Sequence, residues 1–354
     1  MDDEILVSVI MPVYNAKKWL DRSIASLLNQ TIRNTEIIII NDGSVDGSEY
    51  VLEKWQAADR CIRYVNRENK GVSATRNEGI RLARGKYICF ADADDYVESD
   101  MLRQMTSTLE RTGAPCAICN YYEEDENESR KQVLLPWTNN QVLDRQMIAD
   151  ELIPFMIKVL DGDKKKYPLM TNNIMGTVWR ICASRQFLID NRIYFDENMT
   201  IAEDFNFCIN LFQKANLVAT VDSCLYHYIR WNSTTMAVYR QDQFNVGIKN
   251  QYILMNQLKE WGMYERLKER FFGSYIDEVL SAPFNFTRPG APGFFKSIHL
   301  LRKITKSLDD DAVLKKACIN LTFNQRAAMF LIKHHMAFTL YILTVLRSSK
   351  NGQN

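Results

Sequence analysis

The chain has 354 residues, of which 46% are hydrophobic and 25% charged, and its formal net charge is +1. This size and composition are typical of a globular protein with one large domain or two ordinary ones. The near-neutral charge excludes a general attraction to nucleic acid, so a polyanion would have to bind at a local site. The acidic start MDDEILVSVIMP is unlike a signal peptide, and the eight scattered cysteines are expected to be reduced thiols, so we expect a cytoplasmic protein.

Through the first 120 residues, short apolar runs alternate with helix-like stretches. The strand-like runs are VSVIMPVY, EIIII, CIRYV, YICFA and CAICNYY, and amphipathic segments follow the first four. Asn15 is a plausible N-cap for the first of these segments, AKKWLDRSIASLLNQ. This alternation predicts a largely parallel sheet with right-handed crossovers and helices on both faces. In such sheets, ligands bind beyond the carboxyl ends of the strands.

Further along, the pattern changes from mixed to helical. Residues 123–140 are polar, which predicts a surface excursion, and from about residue 241 the pattern is almost wholly helical. The apolar segment 327–347 is interrupted by Lys333, His334 and His335, which argues against a membrane-spanning helix. Two interpretations of it stay open: a buried helix, or a helix that lies on a membrane surface with its basic residues at the headgroups.

Four loops that follow predicted strands carry polar side chains. They contain Val13-Tyr14-Asn15, Asn41-Asp42-Gly43-Ser44, the segment NKGVSATRNEG at 69–79 and Asp92-Ala93-Asp94. All four should converge on one edge of the sheet. There, Asp42 could accept a hydrogen bond from a nucleobase ring N–H, while Lys70 and Arg76 could meet phosphate oxygens or offset nearby carboxylates.

The carboxylates of Asp92 and Asp94 repel one another, and Asp95 adds a third charge. A divalent cation would offset this repulsion and present positive charge to a diphosphate. An Asp-x-Asp pair alone is commonplace, and NDGS alone is usually an ordinary turn. The occurrence of both motifs in order, each after a predicted strand, is stronger evidence for a functional site than either motif alone. No Gly-x-Gly-x-x-Gly or Gly-Lys-Ser/Thr loop follows a strand, which lowers the support for a dinucleotide-binding or P-loop protein.

The runs SVIMPVYNA, IIIINDGSVDGS and NKGVSATRNEGIRLARGKYICFADADD, with the later Glu203-Asp204, resemble the family 2 glycosyltransferases over roughly residues 5–235. The resemblance is greatest to bacterial enzymes that build capsule, O-antigen or teichoic-type polysaccharides. It implies a GT-A fold, an α/β architecture with a mostly parallel, Rossmann-like sheet flanked by helices. It also implies a catalytic domain over 1–235, with a nucleotide-binding half (1–120) and an acceptor half (121–235). We predict a helical C-terminal region over 236–354.

Carried over position by position, the resemblance assigns the donor nucleotide to the first four loops. The residues that it implies around the nucleotide are Pro12, Val13, Tyr14, Asn15, Asp42, Asn69, Lys70, Arg76, Asp92 and Ala93. Asp42 would pair with the uracil edge, and Asp92 would lie near the ribose. Asp94, with Asp92 beside it, would bind a Mn²⁺ or Mg²⁺ ion that bridges the diphosphate.

The resemblance also assigns the residues that act on the acceptor. In AEDFNF, Asp204 would be the general base, and Glu203 would position the acceptor. The segment YHYIRWNSTT resembles the element that closes on the pyrophosphate, which implies Arg230 and Ser233 as donor-binding residues. An inverting displacement needs such a base together with positive charge at the leaving group.

Two further residues of that segment have open roles. The family often has a second arginine where this chain has Tyr228. His227 could contact the metal or the diphosphate, or it could be an ordinary packed histidine.

The sequence therefore predicts an inverting, metal-dependent transfer of a sugar from a UDP-hexose or UDP-N-acetylhexosamine to a glycan or lipid-linked oligosaccharide. The helical tail could dock at the inner face of the membrane, form a homo-oligomer or bind the acceptor. One alternative is a sugar nucleotidyltransferase, which would leave Asp204 without a role and usually has a Gly-rich basic loop near its N-terminus. Another is a non-catalytic sugar-binding module, in which the acidic positions, intact here, would be expected to erode.

Overall fold

The computed structural model of the chain describes residues 4–126, 129–168, 170, 174, 176–231, 238–316 and 321–351. Its contacts divide into two compact units, Met1–Arg230 and Trp231–Asn354. The described part of the first unit combines a sheet with helices, and that of the second is helical. The predicted α/β sheet flanked by helices, with a helical C-terminal region, is confirmed.

The described residues of the first unit form one ten-stranded sheet. Its strands are β1 (Val7–Val13), β2 (Thr35–Asp42), β3 (Ile62–Arg67), β4 (Tyr87–Phe90), β5 (Tyr96–Val97), β6 (Cys116–Asp125), β7 (Arg130–Val133), β8 (Val142–Asp144), β9 (Ile181–Ser184) and β10 (Leu217–Arg230). The strand order is β3-β2-β1-β4-β9-β6-β10-β5, with β7 paired to β6 and β8 to β10. The longest pairings, β1 with β2 and β6 with β10, are parallel.

Helices cover the sheet of the first unit and make up the second. In the first unit they are α1 (Leu20–Leu28), α2 (Ser48–Ala58), α3 (Val72–Leu82), α4 (Met101–Thr112), α5 (Arg145–Met147), α6 (Ile153–Ile157), α7 (Asp161–Lys166), α8 (Arg185–Asp190) and α9 (Glu203–Lys214), with a π-helical stretch at Ile148–Leu152 and a 3₁₀ turn at Val178–Arg180. In the second unit they are α10 (Gln243–Glu260), α11 (Tyr264–Asn285), α12 (Phe294–Ser307), α13 (Phe323–Lys333) and α14 (Ala337–Asn351), with a 3₁₀ turn at Leu314–Lys316.

Helix α3 packs unusually close to the sheet. Gly79 faces Ile10 of β1, and a Cβ atom on Gly79 would lie 2.3 Å from Ile10 Cγ2. A side chain of any size would therefore push the helix away from the strand. The close approach matters for the site because α3 also carries Arg76.

One local prediction, the N-cap of the first helix, is wrong. Helix α1 begins at Leu20, several residues after Asn15, so Asn15 is not its N-cap. Instead, Asn15 adopts a left-handed conformation with φ 52°, and its Oδ1 accepts a hydrogen bond from the Val45 N–H at 2.8 Å. The polar stretch 123–140 contains β7, a mostly exposed strand that pairs with β6 in an antiparallel hairpin.

Strand β9 is an element that the local pattern did not predict. It runs antiparallel between β4 and β6, although it lies about 60 residues further along the chain than β6. The series of apolar runs therefore does not continue as one parallel sheet. Because β9 is antiparallel to both neighbours, β4 and β6 still point the same way, and their carboxyl ends share an edge with those of β1 and β2.

The apolar segment near the C-terminus forms two helices instead of one. The chain breaks between α13 and α14, where His335 has φ 54°. Among the described residues, no helix is long and apolar enough to cross a bilayer.

Candidate active site

The loops predicted to converge do so. Strands β1, β2, β3 and β4 are parallel neighbours, so their carboxyl ends lie side by side. In this register, Val13 lies opposite Asn41, and Asp42 lies opposite Arg67. The loops after these strands therefore open on one edge of the sheet.

Asp42 organises the loop after β3. Its Oδ1 accepts the Lys70 N–H at 2.9 Å and also lies 2.7 Å from Arg67 Nη2, while its Oδ2 accepts the Gly71 N–H at 2.8 Å. Asn69 Nδ2 donates to the Asp42 carbonyl at 2.8 Å. The Asp42 side chain is only 5% exposed, whereas the Lys70 side chain is exposed. Contact of Asp42 with a nucleobase stays a prediction, and the contacts within the chain give Asp42 a structural role as well.

The loop after β1 presents an aromatic ring at the same edge. Val13 is buried and Pro12 is partly buried, whereas Tyr14 is 57% exposed. The Asn15 N–H donates to Ser44 Oγ at 2.9 Å, which ties this loop to the loop after β2. Contact of this loop with the donor nucleotide stays a prediction.

Arg76 joins the Asp92 loop to the start of helix α9. Its Nη1 lies 2.5 Å from Asp204 Oδ1 and 3.4 Å from Glu203 Oε1, and its Nη2 lies 3.0 Å from Asp92 Oδ1. Burial alone would lower the pKa of Arg76, but the three carboxylates more than offset this and raise it. Arg76 is therefore a buried cation that brings together residues more than a hundred positions apart.

Asp204 and Glu203 are the first residues of α9, where the positive end of the helix dipole favours carboxylates. Burial raises the pKa of Asp204 to about 7; Arg76 opposes this shift, and the charges of Glu203 and Asp92 add to it. A carboxylate that titrates near neutral pH is well matched to accepting a proton.

The Asp-x-Asp loop is crowded with negative charge. Burial and the neighbouring Asp92 charge raise the pKa of Asp94 to about 6. Ala93 between them is buried, and Arg22 Nη2 donates to the Asp94 carbonyl at 2.8 Å. Carboxylate oxygens of this kind fit Mg²⁺ or Mn²⁺. No three His, Cys, Asp or Glu side chains among the described residues could together hold a metal, so a cation here would need further ligands from the donor and water.

Asp95 has a different role from its neighbours. It is 2% exposed, and its carboxylate accepts the Tyr226 hydroxyl at 2.9 Å and the Ile229 N–H at 2.8 Å. The Tyr226 hydroxyl in turn accepts the Asp92 N–H at 3.0 Å. Asp95 and Tyr226 therefore anchor the Asp-x-Asp loop to β10.

An aromatic stack that the sequence analysis missed lies beside this loop. Trp179 stacks on Tyr226 with ring centroids 4.4 Å apart and on Tyr228 with centroids 5.6 Å apart. The alternation YHY places Tyr226 and Tyr228 on one face of a strand, but nothing local indicates Trp179 as their partner. Tyr228 is partly exposed, and burial together with the charges of the Asp92–Asp95 carboxylates raises its pKa.

His227 lies in a packed cluster. Its Nδ1 is 2.7 Å from Glu124 Oε1, its Nε2 is 3.0 Å from Glu98 Oε1, and its ring stacks between Tyr96 and Tyr122. Both ring nitrogens are thus occupied by side chains of the protein. Of the two interpretations left open by the sequence, this geometry favours packing.

The segment assigned to the diphosphate is only partly described. Arg230 ends β10 with its side chain 63% exposed, and its Nε lies 2.9 Å from Glu123 Oε1. Ser233 lies outside the described residues. The contact of these two residues with a diphosphate stays a prediction.

Comparison with known proteins gives the family of the chain. The family model "Glycosyl transferase family 2" matches residues 8–165. EpsJ of Bacillus subtilis, an uncharacterized glycosyltransferase, is 33% identical over 72% of this chain and 73% of EpsJ. The cholesterol galactosyltransferase of Borreliella burgdorferi is 28% identical over 75% of this chain and 72% of that protein.

The fold also matches a solved structure. The crystal structure of S. aureus TarS 1–349 superposes with a TM-score of 0.62 at 18% sequence identity, covering 98% of this chain and 92% of that one. At this identity the match concerns the fold alone, and it agrees with the predicted GT-A architecture. The sequence relationships go further, and with the family model they show that this chain belongs to glycosyl transferase family 2 and is a glycosyltransferase.

Proposed function

We propose that the chain transfers a hexose or N-acetylhexosamine from a UDP-linked donor, with inversion, to a glycan or lipid-linked oligosaccharide during synthesis of a bacterial surface polysaccharide. The observation that carries this proposal is the Arg76 bridge between Asp92 and the Glu203-Asp204 pair. In this proposal, the base at Asp204 and the donor loop at Asp92 contact the same buried guanidinium, so they lie within the width of one side chain of each other.

The relatives support the choice of donor and pathway. TarS 1–349 has been crystallised with UDP and with UDP-GlcNAc, and GgaB of Bacillus subtilis, 25% identical over 95% of this chain and 36% of GgaB, is a minor teichoic acid biosynthesis protein. Tyr14 and Asp42 lie at the edge where a uracil would bind. We infer a UDP-sugar donor from these features together.

Asp204 acts as the general base in this proposal. Its Oδ1 is held by Arg76, and the carboxylate also accepts a hydrogen bond from the Val178 backbone. In this proposal, the carboxylate takes the proton of the acceptor hydroxyl. As that proton leaves, the acceptor oxygen forms a bond to C1 of the sugar, and the C1–O bond to the diphosphate breaks. The electron pair of the broken bond stays on the diphosphate oxygen, and UDP is released.

The leaving diphosphate needs positive charge. Asp94, with Asp92 beside it, would hold a Mn²⁺ or Mg²⁺ ion, which when bound neutralises charge on the diphosphate. Arg230 and Ser233 are the protein groups proposed to contact the same phosphates. Asp95 and Tyr226 hold the Asp-x-Asp loop in place for this purpose.

Two substitutions separate chemistry from donor binding. Asp204→Asn should bind UDP-sugar in Mn²⁺ as the unmodified chain does but lose transfer by at least about a hundredfold, because the base is gone. Asp94→Ala should lose the metal-dependent part of UDP-sugar binding in titration calorimetry. A screen of nucleotide sugars by thermal shift, with and without Mn²⁺, identifies the donor to use.

Glu68→Gln is a matched control, because Glu68 is an exposed carboxylate next to the donor loop. It should leave both measurements unchanged. Near-normal transfer by Asp204→Asn, or unchanged donor affinity in Asp94→Ala, would contradict the assignments. Release of pyrophosphate instead of UDP would favour the nucleotidyltransferase alternative.

A further inference from the structure

Positive charge is concentrated at one end of the chain. Residues 288–354 contain eleven Lys and Arg but only three Asp and Glu, a net charge of +8. Because the whole chain is at +1, residues 1–287 have a net charge of −7. The near-neutral net charge of the chain is therefore the sum of an acidic part and a strongly basic segment. The basic segment includes helices α12, α13 and α14.

An exposed aromatic cluster lies within this basic segment. Phe294 contacts Phe295, with ring centroids 5.3 Å apart, and it also meets Phe338 at 6.1 Å and Tyr341 at 5.5 Å. Phe295 is 84% exposed and Phe338 is 58% exposed. We call these four residues the aromatic patch; it joins the start of α12 to α14.

Helix α14 continues the apolar surface beyond the patch. Its inner side is buried at Leu340 and Thr344, while Leu343, Val345 and Leu346 are exposed. An exposed apolar surface of this kind is typical of a protein-binding or membrane-binding site.

The basic side chains of α12 are not paired with the three aspartates that follow this helix. The exposed basic residues of α12 are Lys296, Arg302, Lys303 and Lys306. The aspartates that follow α12 have partners elsewhere: Asp309 pairs with His335, Asp310 with Lys315, and Asp311 with Tyr275. The positive charge of α12 is thus directed to solvent.

We infer that the aromatic patch and the outward face of α14 dock on an anionic bilayer surface, with the basic residues of α12 meeting the lipid phosphates. Aromatic rings beside Lys and Arg are suited to the boundary between headgroups and acyl chains. A second copy of the chain docked on the same face would bring two segments of charge +8 together, which disfavours a symmetric dimer there. Charge complementarity therefore selects the membrane as the occupant, independently of the proposed sugar transfer.

The full chain can be tested by vesicle flotation. Vesicles of phosphatidylcholine with about one third phosphatidylglycerol should bind the protein at about 0.1 M salt. Binding should fall at least about tenfold in pure phosphatidylcholine vesicles or in about 0.5 M salt, because attraction to anionic lipid is lost or screened. This comparison needs no substitution.

Variants then separate the apolar contribution to vesicle binding from the electrostatic one. Phe295→Ser and Phe338→Ser should each weaken binding about tenfold by removing buried apolar area, and Lys303→Glu should weaken it at least about tenfold by reversing a charge. Tyr50→Ser is the matched control, because Tyr50 is a 74% exposed aromatic residue on α2 of the first unit. It should bind as the unmodified chain does.

Each of four results would overturn the inference. They are equal binding to neutral and anionic vesicles, binding insensitive to salt, wild-type binding by the combined Phe295→Ser and Phe338→Ser variant, and a patch-dependent dimer in analytical ultracentrifugation that ignores vesicles. Circular dichroism checks that each variant folds. Should a variant unfold, the lipid and salt dependence of the unmodified chain still decides.

Discussion

Arg76 and its three carboxylates define the character of the candidate active site. One buried cation faces Asp92, Glu203 and Asp204, so with all groups ionised the cluster has an excess of negative charge. The buried excess is unfavourable, and protonation of Asp204 relieves part of it. This explains why the pKa of Asp204 is raised to about 7 in spite of its short contact with Arg76.

The pH dependence of transfer follows from that shift. If Asp204 is the base, only its ionised form is active, so activity should rise with pH and level off above about 7. Below that pH, kcat should fall about tenfold per pH unit. The measurement is kcat at saturating donor and Mn²⁺, because protonation of Asp94 would otherwise weaken donor binding in the same range. A flat profile between about pH 5.5 and 8 would contradict the base role.

Arg76 supplies a second test of the same electrostatics. Replacing it as Arg76→Gln removes the charge that lowers the pKa of Asp204, so the acidic limb of the kcat profile should move to higher pH. Arg67→Gln removes an arginine that binds Asp42 instead, and it should leave the limb in place. An Arg76→Gln limb that stays or moves to lower pH would show that Arg76 does not control the titrating group.

At the scale of elements, helix α3 connects the two halves of the site. It carries Arg76 and also Asn77, whose side chain bonds the backbone of Phe195 in both directions, at 2.9 and 2.8 Å. Phe195 precedes the base-bearing helix α9. The position of α3 against β1, set by Gly79, therefore affects both the donor loop and the approach to α9.

Gly79→Ala should be destabilising although alanine favours helices. Its Cβ would lie 2.3 Å from Ile10 Cγ2, a β-branched side chain that is fully buried. Overpacking costs about 1–3 kcal/mol, against a gain of about 1 kcal/mol in helix propensity. We expect the Tm to fall by several degrees, at about 2–4 °C per kcal/mol, and transfer to weaken as Arg76 moves.

Gly162→Ala in α7 is the matched control, because no atom lies within 4 Å of the added Cβ. It should leave the Tm unchanged or raise it slightly. If both variants behave alike in thermal unfolding, the close packing of α3 on β1 does not have the role given to it here.

Local patterns predicted elements and their convergence but not long-range partners. Apolar runs that end in Asn-Asp-Gly-Ser or Asp-Ala-Asp mark strand ends, and parallel pairing then places those ends on one edge. The insertion of β9 between β4 and β6 depends on pairing with distant strands, which no local run encodes. Asn15 is a residue type that favours helix N-caps. Its side chain accepts a hydrogen bond from the Val45 N–H instead, because the loop after β2 comes within hydrogen-bonding distance.

Residue roles show the same limit. The motifs indicated Arg76 and Asp204 separately, but only the fold places them 2.5 Å apart. Similarly, the alternation of Tyr226 and Tyr228 gives their shared face, while Trp179 and Asp95 as their partners follow from the topology. Spacing along a strand determines the face of the sheet on which a side chain lies, whereas contacts across the sheet depend on strand order.

At the scale of the whole molecule, the two units have different tasks. Every described residue assigned to the donor or to catalysis lies within the first unit, Met1–Arg230. The second unit contains the basic segment and the aromatic patch. A ligand stabilises only the states to which it binds. Donor binding should therefore stabilise mainly the first unit against local opening.

Hydrogen exchange with UDP and Mn²⁺ tests this separation on the full chain. Amides of the loops at 13–15, 41–44, 69–71 and 92–95 should exchange more slowly with UDP bound, because the ligand suppresses local opening there. Amides of α10 to α14 should not change. Protection at residues 230–237 would support the assignment of Arg230 and Ser233 to the diphosphate. The Asp94→Ala variant, treated identically, should show no metal-dependent protection. If α10 to α14 of the unmodified chain were protected as strongly as the four loops, the donor would act on both units.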